Sequence, residues 1–249
     1  MVKIQHRVIF CILLLAVGLP LANADTPKEE VVAAATALGG QPNYSWENDT
    51  VSISGGGRFT VVNQGKTEKG ACTWVDLIRG NVANEAFLEG NKCIVQSFDM
   101  GWVSLDELAK EPAEINGAPN PNQYLIRNLT NYKLPDAIAS DLVSKADSLK
   151  KEGDALGGSL MEGNLTEDGA KALLLTGRSG STTGLIISAA KGNLKFWLNN
   201  GLLMKFEFHV TGTINFNGSS RDIDRTTTVV IRDVSNTKVN IPGDIKAKL

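Results

Sequence analysis

KFWLNNGLLMKFEFHV, residues 195–210, predicts a β-hairpin. Apolar and polar residues alternate on both sides of Asn200-Gly201, the dipeptide that favours a two-residue turn with positive φ at both positions. A period of two turns one set of side chains inward and the other set toward solvent. The predicted inward set of the hairpin and its continuation is Phe196, Leu198, Met204, Phe206, Phe208, Val210 and Ile214. The hairpin therefore predicts a sheet with one buried apolar face and one polar face exposed to solvent.

The apolar face of this hairpin has two interpretations. It can be a dry core, packed on mid-chain helices around Leu142 and Leu173, or it can line a cavity for a hydrophobic ligand. The alternation is the same in both cases. The sequence leaves both open.

The first 24 residues predict an export signal. Lys3 and Arg7 precede an apolar run from Val8 to Val17, and Ala22-Asn23-Ala24 supplies the small residues of a cleavage site. The apolar run is shorter than the ~20 residues that a membrane-spanning helix needs. We therefore predict a signal peptide over residues 1–24 and an exported chain with no integral membrane span after cleavage.

Charge argues against a nucleic-acid partner. The formal net charge is -2 at pH 7, and loss of Lys3 and Arg7 with the signal peptide removes two positive charges and no negative one. A basic surface, which nucleic-acid binding requires, is thus not expected. We predict a monomer that binds no nucleic acid.

Cys72 and Cys93 are the cysteines that follow the signal peptide. In an oxidising compartment they could pair, and a closed loop of about 20 residues would stabilise the fold by roughly 3 kcal/mol. However, their segments are predicted as the first and third strands of a meander, with another strand between them. A disulfide and two buried thiols both remain open.

The order of elements predicts one domain over residues 25–249. A helix begins at Thr26 with a capping box, and short strands then recur about every ten residues. A short helix capped by Ser104 and a Pro- and Asn-rich linker at 111–123 follow. We predict a helical insert at about 123–176, with helices over 134–153 and from Thr166, and then long strands to the end, kinked or bulged at Gly212.

Catalysis is not indicated. His209 is the one histidine after the signal peptide, and it lies on the wet face of its strand. The segment GRSGST, Gly177–Thr182, fits neither a nucleophile elbow nor a phosphate loop. Asp222 and Asp224 could join a calcium site or form a carboxylate pair, but a salt-bridged turn with the neighbouring Arg221 and Arg225 is the favoured interpretation. We predict a non-enzyme without cofactor or metal.

Three segments of the chain carry a resemblance to a known family. They are GLLMKFEFHVTGTI, TTTVVIRDV and TKVNIPGDIKAKL, which read like late strands ending in Val-x-Ile-Pro, while FTVVNQGK and GWVSLDELAK look like early strands and a Trp-bearing turn. In these features the chain resembles the LolA/LppX-like group of bacterial envelope proteins.

The resemblance implies an α+β fold in which a strongly curved antiparallel sheet, an incomplete β-barrel, wraps around helices. It also implies a location in the periplasm or cell envelope of a bacterium and a concave face that holds acyl chains. The expected function is therefore to bind or carry a hydrophobic or lipidated ligand, with the predicted inward residues as its contacts. The alternative is a non-enzymatic envelope scaffold with a filled core.

Overall fold

The computed structural model describes residues 26–79, 82–155, 157–176 and 184–249. The predicted signal peptide and the segment Gly177–Thr182 lie outside these residues. Among the helices of the described residues, none combines the length and hydrophobicity that crossing a membrane requires.

The described chain alternates between long strands and short helices. The strands are β1 (Asn43–Ser54), β2 (Gly57–Glu68), β3 (Thr73–Arg79), β4 (Val82–Glu89), β5 (Lys92–Gln96), β6 (Trp102–Ser104), β7 (Glu114–Ile115), β8 (Ala118–Pro119), β9 (Ala146–Ala155), β10 (Gly158–Leu165), β11 (Leu185–Asn199), β12 (Leu202–Phe216) and β13 (Ser219–Arg232). The helices are α1 (Pro27–Gly40), α2 (Leu105–Leu108), α3 (Asn122–Leu129), α4 (Pro135–Lys145), α5 (Glu167–Leu175) and α6 (Gly243–Lys246).

Eleven of these strands form one antiparallel sheet, in the order β6-β5-β4-β3-β2-β1-β13-β12-β11-β10-β9. Pairing of β1 with β13 joins the meander half, β2–β6, to the closing half, β9–β13. The sheet is curved and does not close, because β6 and β9 remain as its edges. This architecture confirms the predicted fold class, an open antiparallel sheet combined with helices.

Helices cover one face of the sheet, which we call the inner face; the opposite one is the outer face. α1 and α5 lie against the closing strands, and α4 packs against both helices. Val31 and Leu38 of α1, Leu142 of α4 and Leu173 of α5 belong to one buried cluster with the sheet. The main core therefore lies between the inner face and these helices.

Local sequence signals place several elements correctly. α1 begins with the predicted capping box, in which the Thr26 hydroxyl accepts from Glu29 N–H and the Glu29 carboxylate accepts from Thr26 N–H. Asn200 and Gly201 have φ of 49° and 74°, as the predicted hairpin turn between β11 and β12 requires. The predicted bulge lies opposite Gly212, where Ala189 and Ala190 of β11 interrupt the register.

The predicted helix over residues 134–153 is wrong in its second half. α4 ends at Lys145, and Ala146 begins β9, which forms a hairpin with β10. The segment ADSLKKEG has good helix formers, but pairing with β10 supplies the hydrogen bonds and buries Leu149 in the core. The region 123–176 is thus a mixture of helices and a hairpin rather than a helical insert.

A second, smaller cluster lies on the outer face of the meander half. It contains Cys72, Phe87 and Ile94 of the sheet region and Ile245 of α6. The segment Thr237–Leu249, which we call the C-terminal strap, covers this part of the outer face. Strands β3–β5 are consequently covered on both faces around Phe87 and Ile94.

The two cysteines of the described residues, Cys72 and Cys93, are free thiols. Cys72, just before β3, belongs to the outer cluster and Cys93 of β5 to the main core, and β4 lies between β3 and β5. Burial raises the pKa of Cys72 to about 11 and that of Cys93 to about 12. The disulfide considered from the sequence is not formed in the structure, which has the alternative arrangement of two buried thiols.

Candidate functional site

The predicted apolar stripe of the closing strands turns inward. Phe206 is 0% exposed, and the ring of Phe196 on β11 lies 6.3 Å from it, centroid to centroid. The other stripe residues that the main core buries are Leu198, Val210 and Ile214. Phe208 is half-buried and packs against the same core. The orientation predicted for these residues is confirmed.

Met204 is the exception, because the alternation shifts next to the turn. Leu198 pairs with Leu203, whereas Trp197 pairs with Lys205, so β12 carries one extra residue at this point. Such a β-bulge changes which face a side chain occupies. Leu203 is therefore buried in the core where Met204 was expected, and Met204 is half-buried.

The inward stripe is covered by helices rather than by open space. Val31, Leu142 and Leu173 from α1, α4 and α5 lie in one cluster with Phe196 and Phe206. Three cavities of about 210, 330 and 570 Å³ are each lined by residues outside the stripe. In the observed conformation the stripe is a core, and its role in ligand contact stays a prediction.

Beyond the end of α5, at the edge where the β1–β2 and β12–β13 turns lie, the inner face carries a group of apolar side chains among polar ones such as Ser54 and Arg221. We call this region the mouth. Its apolar side chains share the inner face by strand register and are Phe59, Leu185, Ile187, Ile214, Phe216 and Ile223.

Strand register also assigns Phe59 to this face. Phe59 pairs with Ser52, and Ser52 pairs with Arg225, whose guanidinium reaches the end of α5. Directly paired residues project to the same side of a sheet. Phe59 is 56% exposed and Phe216 is 39% exposed, although both project to the face that carries the core.

Two contacts fix where α5 ends above the sheet. Arg225 donates to the carbonyls of Leu173 and Thr176, which are at the C-terminal end of the helix. A methyl group at Gly212 would lie 2.6 Å from Leu174 Cδ1, so the helix approaches β12 closely here. The mouth extends past this point, so its outermost residues lie beyond the described end of α5.

The mouth is continuous with the core. Leu185, Ile187 and Ile223 are half-buried and pack against the main cluster, and Ile214 is buried within it. On the outer face of the same edge, the exposed Ile53 and Ile186 lie among polar neighbours and do not join an apolar group. Ile53 pairs with Arg58 and Asp224, and Ile186 pairs with Asn215.

Sequence reasoning missed most of the mouth. Phe216 shares the parity of the inward residues of β12, so its direction could be predicted, but its exposure could not. The face of Phe59 depends on the register of β2 against β1, which the turn at Gly55-Gly56 sets. Leu185 and Ile187 lie beyond the bulge in β11, which breaks the parity of that strand.

Of the polar groups considered for catalysis or metal binding, His209 and Asp224 pair with each other on the outer face, and Asp222 pairs with Thr213. His209 Nε2 lies 2.8 Å from Asp224 Oδ1, and Thr213 donates to Asp222 at 2.7 Å. The predicted salt-bridged turn of Asp222 and Asp224 with Arg221 and Arg225 is not observed. The segment is part of β13, and its alternation directs both arginines to the inner face. The two aspartates instead face neighbouring residues of β12.

Comparisons with known proteins give structural similarity only. No protein-family model and no curated protein matches the sequence. Solved structures similar to this chain include LprF from Mycobacterium bovis, at 11% identity over 87% of this chain and 96% of that one, with a TM-score of 0.42. A LolA superfamily protein from Nitrosomonas europaea is similar at 12% identity over 89% and 97%, with a TM-score of 0.33. A DUF1329 family protein from Desulfovibrio piger has 10% identity over 88% and 96%, with a TM-score of 0.32.

Proposed function

We propose that this chain is a non-enzymatic envelope protein that binds a hydrophobic or lipidated ligand, which first contacts the mouth. The observation that carries this proposal is the exposure of Phe59 and Phe216 on the inner face, next to the apolar core. When a ligand covers exposed apolar surface, the burial stabilises the complex by about 25 cal/mol per Å². Small-molecule sites typically combine such surface with a few polar groups.

The apolar path inward from the mouth supports an extended ligand. It continues through Ile187 and Ile223 to Ile214, and then to Val210 beneath the end of α5. A chain that advanced beyond Ile214 would displace Leu174 and the Arg225 contacts of α5. The deeper residues Phe206 and Phe196 would then become ligand contacts only after α5 moves.

Arg221 is the polar group that the mouth offers to an acidic head group. It is exposed, pairs with Ile214 in the register and therefore projects to the inner face. Among the described residues no carboxylate pairs with its guanidinium. We propose that the ligand is an amphiphile with an acyl chain and an acidic head group.

Binding of a dansyl-labelled fatty acid to the mature protein tests the proposal. Phe216→Asp places a charge on the inner face of the mouth, and we expect it to weaken binding by at least about ten-fold, which corresponds to ~1.4 kcal/mol. Phe59→Ser should weaken binding in the same direction. Ile186→Asp is the matched control, because Ile186 is 65% exposed at the same edge but projects to the outer face.

Two results would contradict this function. Protein that leaves the fluorescence of the fatty acid unchanged at every concentration would remove the ligand-binding role. Equal weakening by Phe216→Asp and Ile186→Asp would show that binding does not use the inner face.

The packed stripe favours a second candidate, a scaffold that binds a protein partner and no lipid. Phe196 and Phe206 are fully buried against the helices, so the deeper inner face needs no ligand to be covered. Cross-linking in whole cells distinguishes the two candidates. A scaffold would give a defined protein adduct, whereas a lipid-binding protein would purify with lipid that native mass spectrometry detects.

Export is part of the proposal and has its own test. The charged start, apolar run and Ala22-Asn23-Ala24 of the sequence support cleavage before Asp25. N-terminal sequencing of the protein from the cell envelope should therefore begin at Asp25. A protein that keeps Met1 and stays inside the cell would contradict the predicted location.

A further inference from the structure

The C-terminal strap is held against the outer face of the meander half by specific contacts. Glu68 of β2 accepts from the Lys238 ammonium and, at 3.0 Å, from the backbone N–H of Val239. Farther along, Ile245 is 0% exposed in the outer cluster, and Lys248 donates to the Trp102 carbonyl at 3.0 Å. The strap is therefore fixed at both ends.

Between these contacts the strap and the sheet enclose a partly open cavity of about 210 Å³. The sheet contributes Lys66, Trp74, Glu85 and Phe87, and the strap contributes side chains between residues 238 and 242, with Asn240 among them. Since one water molecule occupies about 30 Å³ of the liquid, the cavity has room for about seven water molecules, or for a small organic molecule of similar volume.

The lining combines aromatic rings with the ammonium of Lys66. Trp74 and Phe87 are paired neighbours of β3 and β4, and Trp74 Nε1 donates to Glu85 Oε1 at 3.0 Å, which fixes the orientation of the indole. Lys66 Nζ lies 5.5 Å from the centroid of the Trp74 ring. Among the described residues no carboxylate forms an ion pair with Lys66, whereas Lys238 is already paired with Glu68.

A second lysine on the outer face provides a comparison. Lys205 Nζ lies 4.1 Å from the centroid of the Trp197 ring, so a cation–π contact of the same kind also forms there. Lys205 is also within 3.9 Å of Glu207, and none of the three cavities borders it. The two lysines therefore differ because the strap turns the surface around Trp74 into a partly enclosed pocket.

We propose that this pocket binds a small organic acid with one or two fused rings. The ring packs on Trp74 and Phe87, and the acidic group approaches the unpaired ammonium of Lys66. In a partly enclosed site, an ionised group that accepts a hydrogen bond from an ammonium binds more tightly than a neutral group of the same shape. This site is on the opposite face of the sheet from the mouth and is independent of the function proposed there.

Calorimetric titration of the mature protein with indole-3-carboxylate, indole-3-carboxamide and acetate tests the proposal. We expect the carboxylate to bind about ten-fold more tightly than the carboxamide, because only the former pairs with Lys66. Acetate, which lacks the ring, should give no measurable heat. Lys66→Gln should remove the preference for the acid, and Lys205→Gln, the matched control, should preserve it.

Asn240→Trp fills the pocket from the exposed strap and leaves the sheet unchanged, so loss of binding in this variant does not depend on a misfolded core. Thermal unfolding confirms that each variant is folded before titration. Equal affinity for the acid and the amide, or binding that survives both Lys66→Gln and Asn240→Trp, would overturn the assignment. Failure of all three probes to bind would overturn it as well.

Discussion

The two halves of the sheet differ in how many of their faces are covered. In the closing half the inner face packs on helices, and the outer face carries polar residues such as Glu207, His209 and Thr211. In the meander half the inner face joins the same core, and the strap covers the outer face around Phe87 and Ile94. The first arrangement produces alternation in the sequence, interrupted at the two bulges, and the second produces continuous apolar runs such as Cys93–Val95.

This difference has a functional consequence. Where the outer face is mainly polar, the apolar inner face is the one that we propose for a hydrophobic ligand, and the mouth lies at the end of that face. Where both faces are covered, a pocket forms between the sheet and its cover, as it does beside Trp74. The two proposed sites thus follow from the two ways in which the sheet is buried.

The largest expected effect is in the closing half. Phe206→Ala should lower the free energy of unfolding by about 3–5 kcal/mol, because the buried ring leaves a cavity between β12 and the helices. Thr211→Ala, on the outer face of the same strand, should change it by less than about 0.5 kcal/mol. Urea denaturation followed by circular dichroism measures both. Similar values for the two variants would show that the faces of β12 are not different.

The next effect concerns the outer face of the meander half. Ile94→Ala should lower the free energy of unfolding by about 2–5 kcal/mol, since the side chain is buried beneath the strap. Val230→Ala, on the half-buried outer face of β13, should cost about 0.5 kcal/mol. The same urea titrations compare them. A mild effect of Ile94→Ala would mean that the strap does not bury this face in solution.

The sequence predicted the parts of the fold in which local and tertiary preferences agree. Alternation about Asn200-Gly201 was sufficient for the hairpin and for the direction of Phe206, and Thr26 with Glu29 was sufficient for the start of α1. The first part of β9 was predicted as helix because Leu149 continues the apolar spacing of Ile138 and Leu142, and pairing with β10 overrides that local pattern. Met204 was assigned inward because a one-residue bulge leaves no signal in an alternating strand.

The candidate sites depend more strongly on long-range contacts. The strap carries apolar residues at Val239, Ile241 and Ile245, and this pattern alone does not indicate that they cover Phe87, which is far away in the sequence. The mouth likewise requires the register of β2 against β1 and the position at which α5 ends. Such features follow from the assembled sheet rather than from any local segment.

An intermediate effect is expected at Arg225, the charged residue that the inner face of the closing half places against α5. Burial lowers the pKa of its guanidinium, yet it donates to two carbonyls at the end of the helix. Arg225→Met should lower the free energy of unfolding by about 1–3 kcal/mol, because those carbonyls lose a charged hydrogen-bond donor. Hydrogen exchange should be faster in α5 and unchanged in α1. Uniform acceleration across both helices would contradict a local capping role.

The smallest effect concerns the tether between the meander half and the strap. The pKa of Glu68 is lowered by hydrogen bonds from Lys238 and from the backbone of Val239, so the tether stabilises the fold fully above the ordinary pKa of 4.5. Its contribution is lost as the pH falls through the lower pKa of the folded state. Stability of the unaltered protein should thus decrease on acidification through this range more than that of Glu68→Gln.

The same tether can be followed at neutral pH through the two thiols. Cys72 lies under the strap, whereas Cys93 lies in the main core, and neither is paired. Glu68→Gln should therefore raise the rate at which a thiol reagent labels Cys72 and leave the rate at Cys93 unchanged. Glu162→Gln is the control, because it removes the ion pair with Lys195 in the closing half, far from the strap in the strand order. Equal labelling of both cysteines in Glu68→Gln would indicate that the core opens as a whole, and the strap would then not be a separate cover of the meander half.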